Sequence, residues 1–549
     1  MLKNQIKKDI EFELKKLNII PKTFIVETPH NKNFGDFSSN VAMVHAKENG
    51  YKNLDLAKIL SEKLSKKRHY RKVTIAGGGF LNFILGKKLF YDELVKLLDA
   101  GKDFGRAELG KSKKVLIEFV SANPTGPLNI VNARAAAFGD TLSSIMEFVG
   151  FKVIREYYIN DYGNQIDILA ESIDIRFKEV YNEYLKEFPS EAYHGEYVRD
   201  IAKRINNLEG SKLISLSGKD RLSRIKLIAL EEIHKQQKES LDKFGVYFDS
   251  WVSEKNLREK NFIEEALSYL SEAGCTYEKD DAIWFKSSQF GDEKDRILMK
   301  SDGDTTYFVP DIGYHISKYQ RGYDIIVDVL GPDHHGYIPR LKAAVISLGY
   351  EIEKLKFIIL QQVNIFEDEQ KVKVSKRAGK IITLDALINA VGKDAARFFF
   401  LSRKNSSHIN FDIKLAKSKS KENPFYYCQY ANARINSVFK MAKKHKISLK
   451  KFEKKVLRKL NKEIETEIIN KLLKFPEIVI NISKTYEISK LTNYLYELAT
   501  IFHKYYTDYK IVRVKNVQLS QARLFLLKAI KQIFENTFKL MGIKPMEKM

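Results

Sequence analysis

Cysteine occurs only at positions 275 and 428 of the 549 residues, Trp only twice and Pro 11 times. Two cysteines exclude a disulfide framework and any cysteine-based zinc site, so a reducing cytoplasm is the expected location. No apolar run approaches the ~20 residues needed to cross a bilayer. The opening MLKNQIKKDIEFELKKL has the periodicity of an amphipathic helix, not the layout of a signal peptide. The commonest phosphate-binding loop, GxxxxGK[ST], is also missing. Its nearest approach, Gly77 to Lys88, carries Leu81 where the spacing needs glycine.

What is present is charge and length. A chain of 549 residues has material for roughly three or four domains, and 44% hydrophobic with 30% charged residues fits a soluble globular protein. The formal charge of +24 suits a partner with a polyphosphate backbone. The abundance of Lys, Ile, Asn, Phe and Tyr leaves compositional bias on solvated faces as the plainer alternative.

Along the chain, residues 1–105 mix helical periodicity with short strands such as KVTIAGGGFLNFIL, whose glycines permit a tight bend. From Lys113 the pattern becomes strand, loop, helix, strand: KKVLIEFV, SANPTGPLNIVN, ARAAAFGDTLSSIMEFV and FKVIREYYI. That alternation predicts a parallel sheet, and a loop between buried strand and helix is where such a sheet holds a phosphate. Residues 169–300 read as a largely helical insertion that interrupts the sheet. Strand-like segments return in TTYFVPDIG, YDIIVDVLG and KFIILQQVN. After about 405 the chain is Lys-rich and almost wholly helical.

Several side chains invite a chemical reading, each with a plainer one beside it. QKVKVSKRAGK places Lys373, Ser375 and Lys376 near Gly379, a mobile cationic loop suited to charge that develops during phosphoryl or adenylyl transfer. Most such runs are simply solvated. His334 and His335 beside Asp333 suggest a metal, but these ligands do not make a closed site and no cysteine joins them, so no zinc is expected. Tyr307 alone would read as a core aromatic, Asp311 alone as a helix N-cap.

Taken in order, these segments resemble one family closely, the class I arginyl-tRNA synthetases. FGDFSSNVA and GGGFLNFIL are similar to its N-terminal added domain, and IEFVSANPTGPL to the approach to its HIGH loop. REYYINDYGNQ, YHGEY, FDSWVSEKNL, FGDEKDRILMKSDGDTTYF, GPDHHGYIPRLKA, the KMSK-like KVSKRAGK, DAARFFFLSR, NPFYYCQYANARI, FHKYY and GIKPMEKM continue the match almost end to end. The resemblance implies an α/β class: a Rossmann-type parallel-sheet catalytic domain, an α+β N-terminal domain and an all-α anticodon-binding domain. The implied boundaries are 1–105 for the tRNA-contacting N-terminal domain, 106–168 and 301–404 for the catalytic halves, 169–300 for the connecting insertion and 405–549 for the anticodon-binding domain.

It also implies an activity: ATP-dependent ligation of arginine to its tRNA through arginyl-adenylate, with Mg²⁺ accompanying ATP, in a cytoplasmic monomer with no membrane partner. Activation of arginine would wait for bound tRNA. Carried over position by position, arginine falls to Glu118, Asn123, Tyr307 and Asp311. ATP falls to Pro127, Asn129, Val131, Asn132, Gly331, Asp333, His335 and Lys376. Catalysis rests on Asn129, Asn132, Lys373, Ser375 and Lys376, and tRNA reading on Tyr426, Tyr427, Tyr430 and Arg434. A guanidinium is a planar fork of donors that wants carboxylates, and Asp311 is the expected partner.

The departure from the family lies in the HIGH loop, which here reads Asn129, Ile130, Val131, Asn132. Asparagine amides can donate where imidazoles did, with a different reach, and Val131 at the glycine position should press on adenine. Two readings follow: a working ligase with a variant loop, or a synthetase-like tRNA-binding protein that has lost ATP chemistry. The intact flanks, the KVSK lysines and the retained arginine positions favour the first.

Overall fold

The computed structural model describes residues 2–29, 31–183, 188–367, 370–371, 382–449 and 453–548. At its centre the segment Lys114–Glu118 forms a strand in which Val115, Leu116 and Ile117 are all buried. A strand apolar on both faces must be covered on both. It is flanked by parallel strands in the order Leu355–Ile359, Ile325–Leu330, Lys114–Glu118, Lys152–Ile159, Ser250–Ser253. The chain builds outward from the central strand to one edge, then returns to build the other side. The reversal falls between Lys114–Glu118 and Ile325–Leu330, so a ligand crevice is expected beyond the carboxyl ends of these two strands.

Three details depart from the sequence reading. The edge strand Ser250–Ser253 lies inside the 169–300 stretch, so the sheet is not interrupted throughout it. TTYFVPDIG is not a strand: Phe308–Gln320 is a helix, whose buried Phe308, Val309, Ile312 and Ile316 recur at helical spacing. KFIILQQVN divides between two sheets, with Leu355–Ile359 in the main one and Val363–Glu367 pairing in parallel with Ile409–Asp412.

Around this sheet the remaining parts pack by ordinary amphipathic logic. The N-terminal region is a four-stranded antiparallel sheet with the helices Leu2–Lys15 and Asn53–Ser65. Helices Asn164–Glu179, Glu196–Ile214 and Gly218–Phe244 share a separate apolar core that includes Leu169, Ile173, Ile201, Ile205 and Ile225. A small antiparallel sheet, Thr276–Lys279, Ala282–Phe285 and Arg296–Met299, follows. Beyond residue 423 the helices Pro424–Lys444, Glu463–Leu473, Phe475–Thr485, Ser489–Asp508 and Val517–Leu540 form the C-terminal bundle. Its core is continuous with that of the N-terminal and catalytic parts.

Candidate active site

The crevice begins where the central strand ends. After Glu118 and Phe119 the backbone turns through Val120 (φ 72°) and Ser121 (φ 38°), left-handed conformations that cost free energy without glycine, most of all for β-branched valine. Local bonds hold the turn: Ser121 Oγ donates to Glu118 Oε1 (2.7 Å) and accepts from the Tyr158 N–H (3.1 Å). The next residues are clamped from the Gly218–Phe244 helix, where Gln237 Nε2 donates to the carbonyls of Gly126 (2.8 Å) and Asn123 (3.2 Å). Tyr197 donates to the Thr125 carbonyl (2.7 Å), and the Tyr157 hydroxyl lies 3.1 Å from both Ala122 backbone groups. A loop this heavily tied is pre-organised, and half-buried Asn123 is held by its own bond to Gln165 (2.7 Å).

The loop delivers the chain to the helix Ile130–Phe148, and Asn129 caps it. Asn129 Oδ1 accepts from the Val131 N–H (2.9 Å) and the Asn132 N–H (3.1 Å), while Asn132 Oδ1 accepts from the Asn129 N–H (2.9 Å). This reciprocal capping box satisfies three backbone donors. Because each amide oxygen is committed to the backbone, each Nδ2 is fixed in direction, and neither has a partner among the described residues. The helix presses close to the strand end through Gly139, where a Cβ would lie 2.1 Å from the Phe119 ring. Val131 is half-buried and packs against the core. Pro127 is half-buried, and Asn129 forms an isolated antiparallel bridge with Thr383. Lys373, Ser375 and Lys376 lie outside the described residues.

Beneath the crevice sits a buried charge network. Lys318, wholly buried, donates to Glu118 Oε2 (2.5 Å) and to Asp328 Oδ1 (2.7 Å). Burial alone would strip its proton, but the two carboxylates outweigh that and hold the ammonium well above its ordinary range. Asp328 is likewise held below the carboxylate range: desolvation opposes its charge, Lys318 and His315 more than compensate. His315 reaches Asp328 Oδ2 with Nε2 (2.9 Å) and the Asp311 carbonyl with Nδ1 (2.7 Å).

Asp311 is different. It is half-buried in the first turn of the Phe308–Gln320 helix, not at its cap, and its side chain accepts from the Tyr337 hydroxyl. No cation pairs with it among the described residues. Desolvation pushes its carboxyl up to about 6, against the lowering by the Tyr337 bond and His315, with Glu118 and Glu254 adding repulsion. Tyr307 is 64% exposed, so it is not a core aromatic; it lies one turn before Asp311 at the start of the same helix. A carboxylate prepared by its surroundings for a cation, beside an open aromatic face, fits a guanidinium.

On the other side of the reversal point, Gly331 follows the strand Ile325–Leu330, and a Cβ there would come within 2.7 Å of Asp333 Oδ1. Asp333 and His335 are exposed on the short turn Pro332–Tyr337. The same turn ends in Tyr337, whose hydroxyl donates to Asp311, so one segment carries Asp333 and His335 and also reaches the Asp311 side chain.

In the C-terminal bundle Asn423 caps the helix that carries Tyr426, Tyr430 and Arg434 along one stripe. The Tyr426 and Tyr430 rings are stacked at 6.1 Å and 11°. The Arg434 guanidinium lies between two rings, 4.3 Å from Tyr430 and 4.5 Å from Tyr506. Arg434 also donates to the Tyr430 hydroxyl (2.7 Å) and reaches His503 Nδ1 (3.1 Å), while Tyr427 packs on His503 at 4.4 Å. Burial first, then the Arg434 charge, depress the His503 imidazole to about 4 despite its bond to the Tyr427 carbonyl. Asn432, by contrast, is buried and donates to the Met546 carbonyl (2.8 Å).

Three family models match this chain in succession: the arginyl tRNA synthetase N terminal domain over residues 4–85, tRNA synthetases class I (R), catalytic domain over 93–417, and the DALR anticodon binding domain over 428–549. The arginine–tRNA ligase 1 of Halalkalibacterium halodurans is 40% identical over 554 residues, covering 100% of this chain and 99% of the relative. The chain belongs to the arginyl-tRNA synthetase family. The arginine–tRNA ligase of Carboxydothermus hydrogenoformans is also 40% identical, over 96% of this chain and 94% of its own. Among solved structures, a putative arginyl tRNA synthetase from Campylobacter jejuni aligns with a TM-score of 0.78 at 35% identity, over 85% of this chain and 100% of its own. The Thermus thermophilus arginyl-tRNA synthetase shares the fold at 0.76 and 18%, over 100% of both chains.

For a synthetase of this family, the structure brings together at one crevice Glu118, Asn123 and Asn129 from the first βα connection, Asp311 from the helix Phe308–Gln320 and Gly331 from the end of the strand Ile325–Leu330. Tyr426, Tyr427, Tyr430 and Arg434 form a separate cluster. Sequence reasoning missed Lys318, Asp328 and His315 beneath the pocket, Tyr337 on Asp311, Gln237 as a clamp, and His503 with Tyr506 around Arg434. One signal was available: Asp311, His315 and Lys318 recur at helical spacing on one helix.

Proposed function

We propose that this chain ligates L-arginine to its tRNA in two steps at the crevice, with MgATP as co-substrate, as a cytoplasmic monomer. The family membership over the whole chain carries the activity. The carboxylate of Asp311, raised to about 6 and without a cation, supports arginine as its amino acid. In the first step the arginine carboxylate attacks the α-phosphorus of ATP in line, and pyrophosphate leaves. In the second the 2′-hydroxyl of the terminal adenosine attacks the adenylate carbonyl, and AMP leaves. Neither step needs an enzyme nucleophile, so positioning and neutralisation of charge supply the rate.

Within this reading Asp311 and Tyr307 take the guanidinium, and Glu118 and Asn123 the rest of arginine. Gly331 and Asp333 hold the ribose, with His335 near the adenosine and Pro127 and Val131 against the nucleotide. Asn129 and Asn132 donate from Nδ2 to the phosphates, joined by Lys373, Ser375 and Lys376. Tyr426, Tyr427, Tyr430 and Arg434 take unstacked bases of the tRNA. Adenylate formation is tested by pyrophosphate exchange into ATP, with tRNA present and one amino acid at a time. Exchange with arginine alone supports the reading, whereas equal exchange with lysine would overturn it. A protein that only binds tRNA would give none.

A further inference from the structure

Asp328, on the strand Ile325–Leu330 beside the central one, connects to both acids of the proposed arginine pocket. Through Oδ1 it holds Lys318, whose ammonium passes on to Glu118 Oε2. Through Oδ2 it meets His315, whose other nitrogen meets the Asp311 carbonyl. Lys318 also lies 4.1 Å from the centre of the buried Tyr314 ring, so its position is fixed on three sides.

Glu118 is arranged to lend its charge without losing its place. Lys318 takes Oε2 and Ser121 takes Oε1 (2.7 Å), yet each carboxylate oxygen has two lone pairs, so each keeps an acceptor site for a substrate cation. Without an ammonium between them, Glu118 and Asp328 would be two desolvated carboxylates side by side, and such a pair takes up a proton.

We propose that Lys318 is a positioning residue for arginine: it holds the Glu118 carboxylate in place and aimed at a cationic group of the amino acid, without touching the substrate. The inference rests on arginine being the substrate. Other charges facing Glu118 leave Lys318 as its cation. On the Lys318 helix these are Asp311 and Tyr314; on neighbouring elements, Tyr158, Glu156 paired with Arg321, and Glu254 paired with Arg258.

The test is aminoacylation by the full chain with saturating tRNA and MgATP, reading KM for arginine against pH. Above about pH 7.5 Asp311 is ionised, so the natural protein should have a flat profile up to about pH 9. Lys318→Met should raise KM for arginine about tenfold or more at pH 7.5, leave KM for ATP unchanged, and bring KM down again as pH rises and the shared proton leaves. Lys318→Met with Asp328→Asn removes the repelling partner while Asn still accepts from His315. It should recover most of the lost affinity and flatten the profile. A merely structural Lys318 would lower folded yield or kcat without a new pH limb. A folded Lys318→Met with natural KM and profile overturns the proposal, as does a double variant no better than the single. Where the single variant does not fold, the double variant decides alone, since its proposed profile is flat with near-natural KM. Absence of arginine charging by the natural protein would instead overturn the functional reading.

Discussion

The Tyr337 hydroxyl donates its hydrogen bond to Asp311, joining the turn that follows one central strand to the helix that precedes it. This bond stabilises the Asp311 carboxylate, yet the carboxyl is still raised to about 6, because desolvation is the larger effect. The pocket therefore holds a charge at some cost until a cation arrives, and in the proposed reading that cation is the guanidinium of arginine.

The pH dependence follows with a definite sign. Asp311 is neutral below about 6 and charged above it, so kcat/KM for arginine should rise as pH increases through that value. Asp311→Asn should remove this limb. Because its folded carboxyl lies above the ordinary 3.8, ionising it costs folded stability as pH rises from about 4 to 6, so Asp311→Asn should melt no lower than the natural protein at pH 7.5. A lower melting temperature would mean the residue is structural.

Asp311→Ala should raise KM for arginine strongly and leave KM for ATP nearly unchanged. Losing a charge-assisted pair in a desolvated pocket is worth about 2–5 kcal/mol. Equal loss for both substrates contradicts the assignment, and steady-state kinetics with each substrate varied in turn decides it.

At Asn129 the two roles of the amide can be separated. Asn129→Ala removes the cap, costing about 1 kcal/mol of stability, and also the donor, costing about ten- to a thousandfold in turnover. Asn129→Asp keeps an acceptor for the Val131 and Asn132 N–H groups but has no hydrogen to give to a phosphate. It should melt like the natural protein and still lose turnover. Full activity in Asn129→Asp would show that only the cap matters.

Arg434→Lys replaces a planar cation stacked between Tyr430 and Tyr506 with a point charge. KM for tRNA should rise about tenfold while KM for arginine is unchanged. His503, depressed to about 4, is neutral at working pH, so KM for tRNA should owe no pH dependence near 6 to it. The folded state loses stability as pH falls from the usual 6.5 towards about 4, since over that range the ring of the unfolded chain takes a proton that the buried ring does not.

The +24 charge predicts steep salt dependence of tRNA affinity. The logarithm of the binding constant should fall linearly with the logarithm of salt, by about 0.7–0.9 per phosphate neutralised. A flat line in filter binding would assign the charge to composition.

Much of this was legible in the chain because local rules and tertiary need agree. KVLIE followed by NPTGPLNIVN reads as a buried strand, a loop and the start of a helix, and folds so, whereas the cap made by Asn129 and Asn132 was not read from the sequence. TTYFVPDIG misled because its aromatic and β-branched residues suit a strand, while the buried face that makes it a helix appears only with Ile316 and the residues beyond. Gln237 and Tyr157 could not be found by spacing: they lie 80 residues apart and meet only because the Gly218–Phe244 helix returns beneath the loop. Nothing in the sequence sets Lys318 apart from the other lysines of a Lys-rich protein. Only the convergence of Glu118 and Asp328 from two neighbouring strands gives it a reason to be buried.

The most direct measurement is charging of tRNA by the purified full-length chain, with tritiated arginine and, in parallel, lysine, methionine and glutamine. Ester-linked arginine that accumulates only with ATP present, with the other three at background, is the predicted result. A folded protein that binds tRNA yet charges it with none of the four would contradict it.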